Sequence, residues 1–328
     1  MARRALTLLL AAALGACDDP ALQSLCPADG YPAPAARAAG CVPGPGWLAF
    51  AFIKDGTANP ALFIAKADGS CMERLTADEA FYGGPSFFPG GRRLAYSSTR
   101  SGANRIYTLD LETGLEQPLE TVYPFSPPPA TPEPLEAATP SVSPDGLAFA
   151  FSGTRAAAPA WSDLFTIPAA GGNVLRLTAA PNSAAIAPRW SPDGARLYFL
   201  TYRAGPLELF QVLPDGTALT RLTTRSASSG RFDVTADGSA LVYARFSAND
   251  PGTRPTELVS LELASGTIRI ISSGNEADPA VDATGSSVAV SRRTGSGYDL
   301  YLLDYATGAV KTRLTACPGQ AFGAVFAR

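Results

Sequence analysis

The stretch 188–223, PRWSPDGARLYFLTYRAGPLELFQVLPDGTALTRLT, decides the fold. Two turn sequences interrupt it, SPDG at 191–194 and PDG at 214–216. In both, Pro presets φ, Asp can bond the backbone that follows, and Gly accepts a positive φ. Two apolar runs, at 196–201 and 207–213, lie between these turns, and shorter runs at 187–191 and 219–223 flank them. This pattern predicts four short β-strands within one unit.

The second strand of this unit is apolar on both of its alternating faces, as Leu197-Tyr198-Phe199-Leu200 shows. A strand of this kind belongs to a sheet that is covered on both sides. A four-stranded sheet packed between two similar sheets is a propeller blade. The unit is therefore predicted to be one blade of a β-propeller.

The same unit repeats along the chain. The residue before the SPDG-type turn marks the register, and its successive positions are 55, 48, 44, 47 and 45 residues apart, close to the period of propeller blades. These positions are Phe87, Val142, Trp190, Val234, Val281 and Phe326. The tripeptide Arg-Leu-Thr recurs in the fourth strand at 74–76, 176–178, 221–223 and 313–315.

The two ends of the repeat region complement each other. Residues 47–76 supply strands two, three and four of a unit, whereas residues 321–328 supply a first strand only. We predict that this last strand joins the first unit and closes the ring. The predicted fold class is all-β, a six-bladed β-propeller of four-stranded antiparallel blades over residues 47–328.

These units resemble the TolB-type propeller repeat, whose pattern runs Pro-x-Trp-Ser-Pro-Asp-Gly, a strand, a turn with Arg, a second strand, and Arg-Leu-Thr. The match is best at 188–223 and 140–178 and weaker in the first and fifth units. The resemblance implies a propeller fold. TolB also has an α/β domain before its propeller, for which this sequence has no room, so the partners of TolB are not implied.

The N-terminal segment reads as an export signal. Arg3 and Arg4 precede a short apolar run, too short to span a bilayer, so residues 1–16 are interpreted as a signal peptide. Leu-Gly-Ala-Cys at 14–17 resembles the bacterial lipobox, which implies cleavage before Cys17 and its acylation; the alternative is an ordinary signal peptide. Residues 17–46 are rich in Pro, Ala and Gly and are expected to form an extended tether.

Charge and cysteine content limit the function further. The net charge is −3 with no basic block, which argues against nucleic-acid binding. Besides Cys17, four cysteines in an exported protein predict two disulfides, and three connectivities are possible. Strand topology favours Cys41 with Cys71 and Cys26 with Cys317. A metal site is the competing reading, but the sequence has no histidine and no CxxC spacing.

Loops of an antiparallel meander alternate between the two ends of the sheet. Turns after first and third strands share one end, the tight-turn face. The long insertions at 122–139, 152–162 and 247–256 share the other end, the loop-bearing face, and long loops on a rigid scaffold commonly bind partners. The insertion is expected to be extended at 124–140, where prolines are frequent.

Several charged residues are candidates for binding. One set lies at equivalent positions on the loop-bearing face and could hold a carboxylate, although bonding to turn carbonyls between blades is the plainer role. A second set lies on first strands near the channel, where an Arg-Asp link between blades four and five is the plainer account. Asp145, Asp193 and Asp237 are interpreted as turn residues. The first set is Arg100, Arg155 and Arg203, and the second is Arg189, Asp233 and Asp282.

Two classes of function remain. The first is a membrane-anchored scaffold of the bacterial cell envelope that faces the periplasm, binds a protein or peptide on its loop-bearing face, and is monomeric with no cofactor; the sequence leaves inner and outer membrane open. The second is an enzyme or a ligand- or ion-binding protein that uses the channel. Without histidine, neither a Ser-His-Asp arrangement nor a His-based metal site can form. A lyase using Arg, Lys, Tyr or carboxylates, or a Ca²⁺ site of aspartates and carbonyls, is the remaining form of this alternative.

Overall fold

The computed structural model describes residues 40–76, 80–119, 121–122, 135–155, 161–179, 183–224, 228–246, 256–295 and 297–328. Its regular elements over these ranges are twenty-six β-strands, numbered β1 to β26 in chain order. No helix in the described part of the chain is long and apolar enough to cross a membrane. The protein is therefore all-β over these ranges, as the turn-bounded apolar runs predict.

Four sheets each contain four antiparallel strands in the order of the predicted units. The first contains β4 (Tyr82–Phe87), β5 (Arg93–Ser98), β6 (Arg105–Asp110) and β7 (Glu116–Pro118). The second contains β9 (Leu135–Val142), β10 (Ala148–Arg155), β11 (Ser162–Pro168) and β13 (Leu175–Arg176). The third contains β14 (Ala185–Trp190), β15 (Leu197–Thr201), β16 (Glu208–Val212) and β17 (Thr220–Arg221). The fourth contains β18 (Ser228–Val234), β19 (Ala240–Phe246), β20 (Thr256–Glu262) and β21 (Ile268–Ser272). A parallel pair links β8 (Thr121–Val122) to β12 (Gly172–Asn173).

The remaining strands form one eight-stranded sheet, which consists of two four-stranded groups. The first group contains β22 (Glu276–Val281), β23 (Ser287–Thr294), β24 (Gly297–Asp304) and β25 (Val310–Arg313). The second contains β26 (Gly319–Phe326), β1 (Trp47–Lys54), β2 (Ala61–Lys66) and β3 (Glu73–Arg74). One parallel residue pair, Tyr298 with Gln320, joins the groups. Because β26 pairs antiparallel with β1, the expected pairing of the last strand with the first unit is present.

Apolar side chains pack between neighbouring sheets rather than on one side of each. In β15, Leu197 and Phe199 belong to a core cluster shared with β10 and β11, whereas Tyr198 and Leu200 belong to a cluster shared with β18, β19 and β20. All four side chains are buried. The alternating apolar faces of the second strand are thus covered on both sides, as predicted.

The first strand of each four-stranded group carries a β-bulge. Among the described strands, the register shifts once in each of β4, β9, β14, β18, β22 and β26, against its neighbouring strand. A residue with positive φ lies within each shift, and an extra residue there bends the strand and increases its twist. These residues are Gly84, Thr139, Ala187, Gly230, Asp278 and Gly323.

The Arg-Leu-Thr sequence forms a recurrent polar cluster, which we call the Arg-Thr-carboxylate cluster. In each case the Thr hydroxyl accepts the backbone N–H of the third strand at 2.9–3.0 Å, and Arg Nε donates to the Thr carbonyl oxygen at 2.6–2.9 Å. Arg Nη2 pairs with a carboxylate at the start of the third strand, 2.5–3.1 Å away. The three clusters are Asp163 with Arg176 and Thr178, Glu208 with Arg221 and Thr223, and Asp299 with Arg313 and Thr315.

One predicted disulfide is present, between Cys41 and Cys71, whose Cα atoms are 5.5 Å apart. It ties the segment before β1 to the start of β3. The second predicted pair, Cys26 with Cys317, includes a residue outside the described ranges and stays a prediction. The same applies to Cys17, the signal peptide and most of the tether.

The turn aspartates behave as predicted. The carboxylates of Asp145, Asp193 and Asp237 each accept the backbone N–H two residues later, at 2.9–3.0 Å. A hydroxyl at the start of each turn and this amide both stabilise the ionised form, so the pKa of all three carboxyl groups lies below the ordinary value. These residues fix the tight-turn face.

Candidate functional site

Charged side chains from several first strands meet at the tight-turn end of the channel. Arg189 on β14 faces Asp233 on β18, with 3.9 Å between Nε and Oδ1. This is the contact between units four and five that the sequence predicts. Burial lowers the pKa of Arg189 to about 10, and the nearby Asp233 opposes that shift. The guanidinium therefore stays charged at neutral pH.

Arg328 completes this group and is not among the candidates predicted from the sequence. Its Nη2 atom donates to the Asp233 carboxylate at 2.6 Å and to the carbonyl oxygens of Val234 and Val281 at 2.7 and 3.0 Å. The backbone N–H of Val281 also donates to Asp233, at 2.9 Å. The repeat register contained the signal: Arg328 is two residues after Phe326, where the other units have Pro or Ala.

The cavity at this channel mouth has a volume of about 490 Å³. Arg189, Asp233 and Arg328 lie on its wall together with Trp190 and apolar side chains of the surrounding first strands. Turn residues on the tight-turn face form its rim, among them Pro89, Pro144, Pro192, Ala236 and Ala283. With two guanidinium groups and one carboxylate, the wall carries an excess positive charge.

Asp282 does not belong to this group, contrary to the expectation. Strand β22 ends at Val281, so Asp282 is the first residue of the following turn. Its carboxylate accepts the backbone N–H of Ser286 at 2.9 Å and the hydroxyl of Thr284 at 3.0 Å. The side chain therefore stabilises its own turn instead of facing the channel.

The candidate arginines of the loop-bearing face are not gathered into one site by the described side chains. Arg100 and Arg203 do occupy equivalent turns, since each backbone N–H donates to the hydroxyl two residues earlier at 3.2 Å. The side chain of Arg203 is exposed. Residue 155 ends β10, and its side chain lies outside the described part of the structure.

Arg100 has a structural role, but not the expected one. Instead of bonding turn carbonyls between blades, its guanidinium pairs with Glu116 and lies over the Tyr107 ring, 3.8 Å from the centroid. Glu116 also accepts the Tyr96 hydroxyl. Desolvation and the bond to Glu116 raise the pKa of Tyr96. All of these residues belong to one sheet, so Arg100 stabilises a single blade.

The described residues contain no group of three or more His, Cys, Asp or Glu side chains that could hold a metal ion. The aspartates at the channel face arginines or backbone amides, as Asp233 does. The charged side chains described at the tight-turn mouth, Arg189, Asp233 and Arg328, thus face one another within a largely apolar lining.

Comparison with known proteins agrees with this architecture. Residues 132–326 match the family model of the TolB beta propeller domain. TolB of Acinetobacter baumannii superposes with a TM-score of 0.70 at 20% identity, over 86% of this chain and 66% of that one. A putative TolB of Agrobacterium tumefaciens gives 0.63 at 18% identity, over 84% of this chain and 91% of that one.

Enzymes also share the fold. A puromycin-hydrolysing peptidase of Mycobacterium tuberculosis gives a TM-score of 0.55 at 16% identity, over 81% of this chain and 44% of that one. At these identities the structures show the fold alone, and this chain spans just under two thirds of the A. baumannii protein. No curated protein matches the chain in sequence. The family model covers more than half of the chain, which therefore belongs to the TolB β-propeller domain family.

Proposed function

We propose that this protein is a monomeric, lipid-anchored protein of the bacterial cell envelope whose propeller binds another protein or a peptide. In this proposal, acylated Cys17 holds the chain at the membrane and the tether up to residue 46 spaces the propeller from it. The four-stranded groups form six blades of a closed ring. The pairing of β26 with β1 and the core clusters shared between neighbouring groups support that arrangement.

The cavity at the tight-turn channel mouth is the observation that carries the binding role. It is concave, about 490 Å³ in volume, and lined by Trp190, aromatic side chains and two arginines. Tryptophan and arginine are the residues most enriched at the energetic centres of protein interfaces. A cavity of this size accommodates a few side chains of a partner segment.

The charge of this mouth favours an acidic partner. Arg189 and Arg328 together outweigh the single carboxylate of Asp233. Guanidinium groups bind carboxylates through paired N–H donors. An acidic or C-terminal segment of a partner is therefore the ligand chemistry that fits best.

The loop-bearing face is the surface that the sequence favours, and it remains the second candidate. Its insertions lie largely outside the described ranges, so its role rests on loop length alone. The two faces are at opposite ends of the channel, which allows one experiment to separate them.

The test is site-specific photocrosslinking of the full chain in intact membranes. A photoreactive residue replaces Ala283 at the mouth, Tyr202 on the loop-bearing face, or Ile270 on the outermost strand, which is 50% exposed. We expect one discrete adduct from position 283, lost when Ala236→Trp fills the cavity. An adduct only from position 202 would move the interface to the loop-bearing face. Only diffuse background at all three positions would refute the scaffold role.

A further inference from the structure

A second cavity, about 590 Å³ in volume, opens on the loop-bearing face. It lies where the end of the β19–β20 hairpin meets β22, β23, β24 and β26. Strand register brings its lining together: Ala277 pairs with Ser291, Arg293 with Tyr298, and Tyr298 with Gln320. This cavity is at the opposite end of the channel from the arginine-lined mouth and shares no residue with it.

The hydroxyl of Ser291 points to a ligand here. Ser291 is 1% exposed, and its Oγ has no hydrogen-bond partner among the described residues. A buried hydroxyl without a partner costs free energy, so each such group calls for an explanation. Ser291 is one of the residues that line the cavity, with its Oγ buried beneath the surface, and a bound molecule that opens the wall to this atom would supply the missing partner.

Equivalent serines in two other units show what this position normally does. Ser97 and Ser152 each pair across the sheet with the residue just before the bulge, as Ser291 does. The Ser97 hydroxyl donates to the Gly83 carbonyl oxygen at 3.0 Å, and the Ser152 hydroxyl bonds the Thr139 hydroxyl at 3.0 Å. Ser291 alone of these three lacks the internal bond among the described residues.

Asp278 occupies the bulge position that corresponds to Thr139. It has φ 49°, a conformation that is uncommon for a residue other than glycine. Its carboxyl group accepts the backbone N–H of Gly323 at 3.3 Å rather than the Ser291 hydroxyl. Burial raises its pKa, although Arg231 and Arg189 oppose that shift. In the unit that contains Thr139, the bulge residue and the facing serine bond each other directly. Here Asp278 and Ser291 do not, and both residues line the cavity.

The rest of the lining combines three kinds of chemistry. Phe246, Tyr298 and Phe322 provide aromatic surface, and Asn275 and Gln320 provide amide donors and acceptors. One carboxyl group, Asp278, is offset by one guanidinium, Arg293. The lining side chains therefore carry no net formal charge, and a ligand without net charge that has hydroxyl groups and an apolar face fits the aromatic, amide and hydroxyl groups present.

We propose that this cavity binds a single pyranose sugar residue, with its apolar face against the aromatic side chains and its hydroxyls bonded to Ser291 and Asp278. The volume is within the range of small-ligand sites, about 300–1,000 Å³. Side chains that both donate and accept hydrogen bonds match sugar hydroxyls, which also do both. The proposal does not rest on the protein-binding role at the other face, although Asp278 interacts electrostatically with Arg189 of that mouth.

The test is saturation-transfer NMR and titration of the full chain with the methyl pyranosides of glucose, galactose and mannose and with N-acetylglucosamine. Tetramethylammonium and acetate serve as a cationic and an anionic probe. We expect at least one sugar to bind with a Kd of about 5 mM or tighter, a weak affinity on the usual scale. Binding should exceed that of both ions.

Matched variants decide whether that binding uses this cavity. Ser291→Ala should weaken it about five- to tenfold, the equivalent of one hydrogen bond. Gln320→Ala, an exposed change in the lining, should weaken it as well. Ser97→Ala is the control: its melting temperature should fall while sugar affinity is unchanged, whereas Ser291→Ala should not lower the melting temperature.

Three results would overturn the proposal. The first is that no sugar binds, which would leave an ordered water as the partner of Ser291. The second is that a sugar binds equally well to the wild type and to the Ser291 and Gln320 variants, which would place it elsewhere. The third is that tetramethylammonium or acetate binds more tightly than every sugar, and that no sugar displaces it from this cavity.

Discussion

Replacing Arg313 by Met tests how much an Arg-Thr-carboxylate cluster contributes to stability. Arg313 Nη2 lies 2.7 Å from an Asp299 carboxylate oxygen. The same carboxylate accepts the hydroxyls of Thr294 and Thr315 at 2.6 and 3.1 Å. Methionine keeps most of the aliphatic stem, so the change preserves the packing and removes the ion pair together with the Nε bond to the Thr315 carbonyl oxygen.

The magnitude follows from the unequal burial of the two partners. The Asp299 side chain is 3% exposed, whereas that of Arg313 is 36% exposed. Breaking a fully buried pair costs about 3–5 kcal/mol because one charge stays buried without its partner. Here the two hydroxyls still solvate the carboxylate and water screens the arginine, so we expect a loss of about 2–3 kcal/mol.

Urea unfolding at neutral pH under oxidising conditions measures this loss as a lower midpoint with an unchanged m-value. Arg92→Met is the control, since Arg92 and Glu112 are 70% and 73% exposed and 3.8 Å apart; it should cost less than about 0.5 kcal/mol. The double variant with Arg313→Met and Asp299→Asn should lose at least about 1 kcal/mol less free energy of unfolding than the sum of the two single losses. Equal losses for both Met variants, or strictly additive effects in the double variant, would refute the reasoning.

Three other changes have defined outcomes. Replacing both Cys41 and Cys71 by Ala should lower the free energy of unfolding by about 3–4 kcal/mol, the loop-entropy value for a bridge spanning 30 residues. The prediction would be contradicted if this loss were no larger than the further loss that reducing agent causes in the variant. Gly297→Ala should cost about 1–3 kcal/mol because the new Cβ would lie 2.1 Å from the Gly319 carbonyl oxygen; unchanged thermal unfolding would show that β24 and β26 move apart freely. Asp278→Asn should stabilise the protein at neutral pH but not in acid. Burial raises the folded-state pKa of Asp278 above its unfolded value, so its stability contribution is complete below the unfolded pKa and is lost as pH rises through the folded pKa; a difference between variant and wild type that does not change with pH would argue against this.

The architecture was readable from the sequence because the repeat gives the same signal at several levels. Leu197 to Leu200 are apolar on both faces, and the structure packs alternate residues against different neighbouring sheets. The turn aspartates and the Cys41–Cys71 pair follow from strand direction, since local chemistry and chain topology determine them. These features depend on contacts that recur within each unit.

The site residues were harder to predict because they depend on contacts between units. Arg328 binds Asp233, 95 positions earlier in the chain, and no local pattern marks that contact. The predicted place of Asp282 on a first strand was wrong by one residue, because β22 ends at Val281. The unpaired Ser291 can be recognised only by comparison with Ser97 and Ser152 in the folded structure.

The repeated bulge has a consequence for how this fold can change. The first strand of each four-stranded group has one residue that leaves the regular pleat, where the bulge bends the strand. Glycine occupies three of these positions, and Thr139, Ala187 and Asp278 occupy the others. A Cβ at Gly84 would lie 2.9 Å from the Thr139 Cα atom, so the positions that already hold Thr, Ala or Asp tolerate a change of side chain more readily than Gly84 does.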